Sequence, residues 1–207
     1  MTKPSAWTPA ERQLEAIDAD WAGLVRTVGP CTLRPVRGRQ PYEALVRSIA
    51  YQQLHQRAAD TILGRLLDLY PGQAFPSPQQ LVATPVPQLR ACGYSQRKAE
   101  TMQGIARAAL DGVVPDRRAA ARMDTEALVE RLTTLHGVGR WTVEMLLIFT
   151  LGRPDVLPVD DFGVRDGYRR LKGNQALPTP RALRETGKAW APYRSIAAWY
   201  LWRVPRA

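Results

Sequence analysis

The sequence predicts an all-α fold, and two observations lead to this prediction. Apolar residues recur three and four positions apart along most of the 207-residue chain, which is the period of a helix that buries one face. No strand-length run alternates Val, Ile or Thr with polar residues, as a half-buried strand would. Pro, Gly and capping residues divide the pattern into about ten short helices, a helix length that is ordinary for soluble domains.

The first half of the chain predicts three longer helices. The first covers Trp7–Val28 and begins near Thr8-Pro9, because Pro is tolerated in a first turn. Two more are predicted over Pro41–Gln53 and His55–Tyr70, and Pro71-Gly72 ends the second of them. Residues 73–87 are rich in Pro and Gln and predict only short helical turns.

Capping residues mark the later helices. Ser95 is the expected N-cap of Gln96–Leu110, and Asp124 is that of Thr125–Leu135. An apolar helix is predicted over Arg140–Leu151. The remaining predicted helices are Val86–Cys92, a short one from about Asp161, Pro180–Trp190 and Tyr193–Arg203.

The charge of the chain indicates a polyanionic partner. It has 29 basic and 19 acidic residues and a formal net charge of +10, so nucleic acid is the first candidate. Only four of the basic residues are lysines. A proteome that favours Arg is therefore an alternative explanation, and charge alone leaves both open.

Several classes of protein are disfavoured. No run reaches the roughly eighteen apolar residues of a membrane span, and residues 1–10 lack the apolar core of a signal peptide, so we expect a cytoplasmic protein. Cys31 and Cys92 are far apart, whereas zinc sites and iron–sulfur clusters need closely spaced ligands. We expect two free, buried thiols.

The most informative segment is Leu135–Arg140, in which one helix ends and another begins within a few residues. Gly137 and Gly139 permit positive φ and present no side chain. The N–H groups at the start of the second helix would bind an anion such as a DNA phosphate, and carbonyls of the same turn could hold a monovalent cation. Taken alone, the turn could also be only a tight connection.

Four motifs in order resemble those of helix-hairpin-helix base-excision DNA glycosylases, the HhH-GPD superfamily. The hairpin segment LHGVGRWTVE is similar to their L-P-G-V-G-x-x-T-A. The other three are Ser48–Leu54, similar to S-I-x-x-Q-Q-L, Gly93–Ala99, similar to G-L-S-x-x-K-A, and Leu157–Val164, similar to their aspartate loop. The segment Trp190–Ala197, with Trp202 after it, resembles the C-terminal W-x-P-W-R-S-x-A…W of AlkA-type 3-methyladenine DNA glycosylases II.

The resemblance implies two helical lobes that flank a DNA-binding active-site cleft. Residues 1–39 would form an N-terminal helix that packs with the C-terminal lobe. Residues 40–145 would form the central lobe, which ends in the hairpin, and residues 146–207 the C-terminal lobe with the aspartate loop. Only about forty residues precede the motif region, so we expect the β-rich N-terminal domain of larger AlkA proteins to be absent.

The resemblance also implies a monofunctional glycosylase in base excision repair. Such an enzyme flips out an alkylated base, such as 3-methyladenine or 7-methylguanine, and hydrolyses its N-glycosidic bond. Asp161 matches the catalytic carboxylate, which would stabilise an oxocarbenium-like sugar and orient water. Its neighbour Asp160 is the rival and keeps a capping or supporting role, and a helix N-cap is the plain alternative for either.

Aromatic residues matched by the family would form the base pocket. Trp141 stands where bifunctional members have a nucleophilic lysine, which implies base release without strand cleavage. Trp141 and Trp202 would stack on a cationic alkylated purine, although aromatic residues on helices are more often core. Met145 and Tyr193 replace other pocket residues and leave the substrate range open, including 1-methyladenine, 3-methylcytosine, hypoxanthine and ethenoadenine.

The remaining site residues are predicted to touch DNA directly. Gln53 matches the wedge that fills the space of the flipped base, with Leu54 as the alternative. The partner would be double-stranded DNA with alkylated bases, bound by a monomer near the nucleoid and away from membranes. No cofactor is expected beyond a possible Na⁺ or K⁺ on the carbonyls of Thr133, Leu135 and Val138. The predicted phosphate-binding residues are His136, Gly137, Val138, Gly139, Arg140 and Thr142.

Two other functions stay open at this stage. A DNA-binding helix-hairpin-helix protein without activity would need the phosphate-binding turn but neither the aspartate nor the aromatic pocket. A glycosylase for other damaged bases would share the fold but would use a different pocket.

Overall fold

The computed structural model describes residues 6–205, which contain helices, turns and loops but no β-strand. The all-α prediction is therefore confirmed. This part of the chain contains thirteen α-helices, more than the ten or so predicted, because several predicted segments are divided. They are α1 (Thr8–Glu15), α2 (Ala19–Val28), α3 (Pro41–Tyr51), α4 (Gln56–Asp68), α5 (Pro78–Ala83), α6 (Val86–Ala91), α7 (Gln96–Leu110), α8 (Arg117–Arg122), α9 (Thr125–Thr133), α10 (Arg140–Leu146), α11 (Phe162–Leu171), α12 (Pro180–Thr186) and α13 (Arg194–Leu201).

The helices form two compact units. The terminal unit comprises the described residues up to Pro35 together with those from Leu147 onward. It contains α1, α2 and α11–α13, a π-helical turn over Leu147–Leu151 and a 3₁₀-helix over Gly187–Trp190. The central unit, Val36–Leu146, contains α3–α10.

The single N-terminal helix predicted over Trp7–Val28 is wrong. The structure has α1 and α2 instead, because the Asp18 carboxylate accepts hydrogen bonds from the N–H groups of Asp20 and Trp21, at 3.1 Å each. An aspartate that caps in this way starts a new helix. The Lys172 ammonium binds both Asp18 and Asp20 and so ties this break to the end of α11.

Aromatic side chains form the core of the terminal unit. Trp21 and Trp190 are almost fully buried and meet edge to face, with ring centroids 5.3 Å apart. The Tyr200 hydroxyl donates to the Gly29 carbonyl at 3.0 Å, which gives this buried phenol a partner. Trp199 is buried as well. Trp21, Trp190 and Trp199 are thus core residues, the usual role of aromatic side chains on helices.

Helix α11 approaches the end of α13 at backbone contact distance. A Cβ built on Gly167 would lie 2.0 Å from the carbonyl oxygen of Leu201, closer than any side-chain atom can come. Only glycine therefore permits this crossing. The crossing brings the residue after α13, Trp202, to the first turn of α11.

The loop that leads to α11 is fastened to the start of α13. The Ser195 hydroxyl accepts the Val156 N–H at 2.9 Å and donates to the Arg153 carbonyl at 2.7 Å. The Arg194 guanidinium contacts both carboxylate oxygens of Asp155, and this hydrogen bonding lowers the pKa of Asp155. These contacts fix the chain a few residues before Asp161.

Helix α7 is the centre of the central unit. It packs against α3, α5 and α6 and buries one face that includes Met102 and Ile105. The predicted bounds, Gln96–Leu110, and the predicted cap, Ser95, are confirmed. The side chain of Gln103, which is buried, donates to three carbonyls around the end of α5, of which the Thr84 carbonyl is nearest at 2.7 Å.

Two features of the central region escaped prediction. Helix α8 is capped by the Asp116 carboxylate, which accepts the Ala119 N–H at 2.7 Å, but its sequence RRAAAR has too little apolar character to show a period. The predicted helix Arg140–Leu151 is α-helical only to Leu146 and then passes into the π-helical turn. A π-turn adds one residue to a helical turn and shifts the side chains that follow.

Residues 6–205 include both cysteines of the chain. Cys31 and Cys92 are free and buried, as expected, and burial raises the pKa of Cys31 to about 11. Among these residues no group of three or more His, Cys, Asp or Glu side chains is placed to hold a metal ion. None of the described helices has the length and apolar character needed to cross a bilayer.

Candidate active site

Asp161 is the N-cap of α11. Its Oδ1 accepts the N–H of Val164 at 2.8 Å, so the carboxylate lies at the positive end of the helix dipole. Asp160 is exposed and does not cap this helix, so of its two predicted roles capping is wrong and a supporting role stays a prediction. Capping does not exclude a chemical role for Asp161, because the cap uses only one of its two carboxylate oxygens.

A second donor holds the same oxygen. The indole Nε1–H of Trp202 donates to Asp161 Oδ1 at 2.8 Å. A carboxylate with two donors on one oxygen has a fixed plane, because rotation about its Cβ–Cγ bond would break both hydrogen bonds. The sequence placed Trp202 in a pocket, but it gave no sign of this bond across 41 residues of chain.

Glycine on α11 makes room for this hydrogen bond. A Cβ on Gly163 would lie 2.9 Å from Cδ1 of Trp202 and 3.1 Å from Oδ1 of Asp161. Gly163 and Gly167 are four residues apart and therefore share one face of α11. That face accepts the end of α13 and the indole that follows it.

Phe149 extends the aromatic surface and was missed by the sequence analysis. Its ring stacks on Trp202, with centroids 5.6 Å apart and an interplanar angle of 28°, and it remains 37% exposed. Phe149 lies within the π-helical turn. The apolar sequence around it predicts a buried α-helix, and nothing in that pattern signals the π-turn that presents this ring.

The other predicted pocket residues differ in exposure. Tyr193 is half-buried and directly precedes α13 in the terminal unit. Phe162, which follows Asp161, is 69% exposed and was not predicted as a site residue. In the central unit, Trp141 is 41% exposed and Met145 is half-buried. The Trp141 side chain is thus partly accessible from solvent.

The hairpin between α9 and α10 requires glycine at Gly137. Its φ is +77°, and an added Cβ would lie 2.9 Å from Cγ2 of Thr101, which is buried. Gly139 is exposed, and a Cβ there would meet no atom within 4 Å. Gly137 therefore lets the turn pack on α7. Gly139 leaves the exposed side of the turn without a side chain.

The hairpin presents fewer groups to an anion than the sequence suggested. The Val138 N–H donates to the Leu135 carbonyl at 3.1 Å, and the Thr142 N–H donates to the Gly139 carbonyl at 3.0 Å. Val138 and Thr142 are also buried, so both their side chains and their N–H groups are occupied here, and their contact with a phosphate stays a prediction. The N–H groups of Gly139 and Arg140 precede the first hydrogen bonds of α10 and remain the predicted anion site, beside the exposed His136.

The Arg140 side chain forms ion pairs with two glutamates of the protein. Its two terminal nitrogens contact both oxygens of Glu126, at 2.6 and 2.9 Å, and its Nε contacts Glu144 at 3.0 Å. Hydrogen bonding to Glu126 raises the pKa of Arg140 above its ordinary value. This arginine ties the start of α9 to α10, so a phosphate contact stays a prediction for its backbone N–H alone.

The turn between α3 and α4 carries both wedge candidates at its surface. Gln53 has φ +57°, the only positive φ of a non-glycine residue among residues 6–205. Gln53 is exposed and Leu54 is 38% exposed. Both side chains are accessible to a ligand, and the choice between them stays a prediction.

The family follows from a comparison with known proteins. Residues 46–192 match the model of the HhH-GPD superfamily of base excision DNA repair proteins, and this range includes Gln53, the hairpin and Asp161. The chain belongs to the HhH-GPD superfamily. Its predicted family and fold are confirmed.

Relatives within the HhH-GPD superfamily cover nearly the whole chain. DNA-3-methyladenine glycosylase 1 of Schizosaccharomyces pombe is 42% identical over 202 residues, 96% of this chain and 88% of that protein. The structure of the S. pombe 3-methyladenine DNA glycosylase in complex with abasic DNA is similar with a TM-score of 0.87 and covers 95% of this chain and 96% of the other. DNA-3-methyladenine glycosidase from Bacillus halodurans is 34% identical, with a TM-score of 0.84 and coverage of 98% and 92%.

Replacing Gly163 by Ala should break the hydrogen bond between Trp202 and Asp161. The new Cβ would occupy the space that the indole now fills, so the Trp202 Nε1–H should lose its protection from exchange with solvent. The measurement is the exchange rate of the six indole N–H signals in a ¹⁵N-labelled sample, with Trp202→Phe used to assign the signal.

Gly23→Ala is the matched control for this variant. Gly23 lies in α2 of the same unit, and a Cβ there would meet no atom within 4 Å. Its indole exchange should equal that of the parent protein. Unchanged protection of Trp202 in Gly163→Ala would show that Gly163 is not needed for the contact.

Proposed function

We propose that this HhH-GPD protein is a monofunctional DNA glycosylase that releases alkylated bases from double-stranded DNA. The observation that carries the proposal is the Asp161 carboxylate, fixed by Trp202 and by the first turn of α11. The name of the S. pombe relative, DNA-3-methyladenine glycosylase 1, supports this substrate class. The matched family, base excision repair proteins, supports its place in DNA repair.

The chemistry follows from what a fixed carboxylate does beside a reacting sugar. Alkylation at N3 or N7 makes a purine nucleotide cationic, so the bond between C1′ and the base nitrogen breaks with its electron pair leaving on the base. The sugar becomes an oxocarbenium ion, which the negative charge of Asp161 stabilises. A water oxygen then bonds to C1′, and its proton passes to the carboxylate or to solvent.

The absence of strand cleavage is proposed from the residue at Trp141. An indole cannot form a Schiff base with the sugar, whereas a lysine at that place could. The lysines within residues 6–205 are engaged elsewhere: Lys98 binds backbone carbonyls, and Lys172 and Lys188 bind carboxylates. Lys3 lies outside the described residues.

The base pocket is proposed by resemblance. Trp141 is partly exposed, and an electron-rich indole attracts a cationic base. Trp202 with its partner Phe149 forms a second aromatic surface in the terminal unit. 3-Methyladenine and 7-methylguanine are the proposed substrates, and the wider set of modified bases is left to experiment. A DNA substrate also implies the compartment of the chromosome, so a cytoplasmic, nucleoid-associated location stays a prediction.

Asp161→Asn should strongly slow base release and leave DNA binding intact. The amide keeps the size of the side chain and an oxygen for the two donors, but it carries no negative charge. We expect single-turnover release of 7-methylguanine from a duplex to fall by about a hundredfold or more, with little change in affinity for a duplex that contains a tetrahydrofuran abasic analogue.

Asp160→Asn is the matched control, because Asp160 is exposed and adjacent. It should release bases at the parent rate. The parent protein should leave the abasic strand uncut. Unchanged release in Asp161→Asn would refute the assignment of the catalyst, and DNA binding without release by the parent protein would favour a binding protein instead.

We also propose that the hairpin binds Na⁺ or K⁺ through the carbonyls of Thr133, Leu135 and Val138. The last carbonyls of a helix lack partners within it. The Thr133 hydroxyl donates to the Val129 and Glu130 carbonyls of α9, and the Leu135 carbonyl accepts the Val138 N–H, which leaves its second lone pair. A bound cation would place positive charge beside a DNA phosphate.

Exchange of the cation tests this proposal. At constant ionic strength, replacement of K⁺ and Na⁺ by tetramethylammonium should weaken binding to the abasic-analogue duplex, because the larger ion cannot be coordinated by carbonyls. Equal affinity in the three salts would argue against the site.

A further inference from the structure

The last turn of α3 is followed by a strained residue. Gln53 has φ +57°, a conformation that costs free energy in any residue except glycine. Such residues persist when the surrounding structure holds them in place. The contacts around Gln53 therefore matter for whatever its side chain does.

Each carbonyl at the end of α3 has an identified donor. The Ser48 and Ile49 carbonyls accept the Gln52 N–H, and the Tyr51 carbonyl accepts the Leu54 N–H at 3.3 Å. The Ala50 and Gln52 carbonyls accept no backbone N–H of this turn. Their donor is a side chain from another helix.

Lys98 supplies that side chain. Its ammonium donates to the Ala50 carbonyl at 3.2 Å and to the Gln52 carbonyl at 2.5 Å. The two bonds lie on either side of the last residue of α3 and directly before Gln53. A cation at this place also opposes the negative end of the helix dipole.

The position of Lys98 is itself fixed. It lies in the first turn of α7, where the Ser95 hydroxyl accepts its N–H at 3.3 Å, and its side chain is half-buried. Just before this turn, Gly93 has φ +114°, and a Cβ there would lie 3.0 Å from Ile62 of α4. The backbone before α7 is thus packed on α4, and from the first turn of α7 the Lys98 side chain extends to the end of α3.

We propose that Lys98 is a positioning residue that holds the turn at Gln52–Leu54 in the shape required for Gln53 to enter the DNA helix. The proposal rests on the proposed function, because it assumes that a side chain of this turn fills the space of a flipped base. Lys98 touches neither base nor sugar. Its ammonium donates to the two carbonyls that accept no backbone N–H, and these bonds stabilise the strained conformation of Gln53.

The test compares single and double variants on a lesion duplex. Lys98→Met removes the donors but keeps much of the length of the side chain, and Gln53→Ala removes the wedge. We expect each to slow single-turnover release of 7-methylguanine by about tenfold, as the loss of one well-made polar interaction would. The double variant should be no slower than either single one, because both changes disable the same element.

Two further variants separate positioning from a loss of charge or of folding. Lys98→Arg keeps two donors and should restore most of the rate. Lys188→Met removes a lysine that is 69% exposed and paired at the surface with Glu185, and it should match the parent protein. Thermal unfolding followed by circular dichroism sets an assay temperature at which every variant is folded.

A binding measurement keeps this inference separate from the proposed function. A duplex with a tetrahydrofuran abasic analogue opposite 2-aminopurine changes fluorescence when a side chain enters the stack, and it requires no base release. Lys98→Met and Gln53→Ala should each lower that response at saturating protein. A parent-like response and rate in Lys98→Met, or rate losses that multiply in the double variant, would overturn the role of Lys98. Failure of the parent protein to release any alkylated base would instead overturn the proposed function.

Discussion

The hydrogen bond between the Trp202 indole and the Asp161 carboxylate is the interaction on which the proposed chemistry depends. It joins the first turn of α11 to the residue after α13, and it exists because Gly163 and Gly167 remove side chains from one face of α11. The same indole supports Phe149 by stacking. A single contact therefore orients the charged group and organises the aromatic surface next to it.

Three of the basic side chains have partners within the protein. Arg140, the basic residue nearest the hairpin, is bound by Glu126 and Glu144. Lys98 serves two carbonyls, and Lys172 holds two aspartates. These cations shape the elements that we propose to touch DNA, whereas the proposed contact to phosphate comes from backbone N–H groups. The net charge would add long-range attraction of the duplex.

Much of the fold could be predicted because its signals are local. Ser95 and Asp124 cap helices at the expected residues, and the motifs placed Asp161 and Gly137 correctly at a helix start and in a turn. The rest depends on contacts between distant residues. The Asp18 cap that divides the first helix has the same appearance as a surface aspartate, and the π-turn at Phe149 leaves no trace in an apolar run. The bonds of Lys98 to α3 likewise become visible only when α7 lies against it.

The central claim is that Asp161 stabilises positive charge on the sugar. The most direct measurement compares affinities for two duplexes, one with a cationic pyrrolidine analogue of the abasic sugar and one with the neutral tetrahydrofuran analogue. The parent protein should prefer the cationic duplex, and Asp161→Asn should lose that preference by about tenfold or more. An equal preference in the parent protein and the variant would contradict the claim.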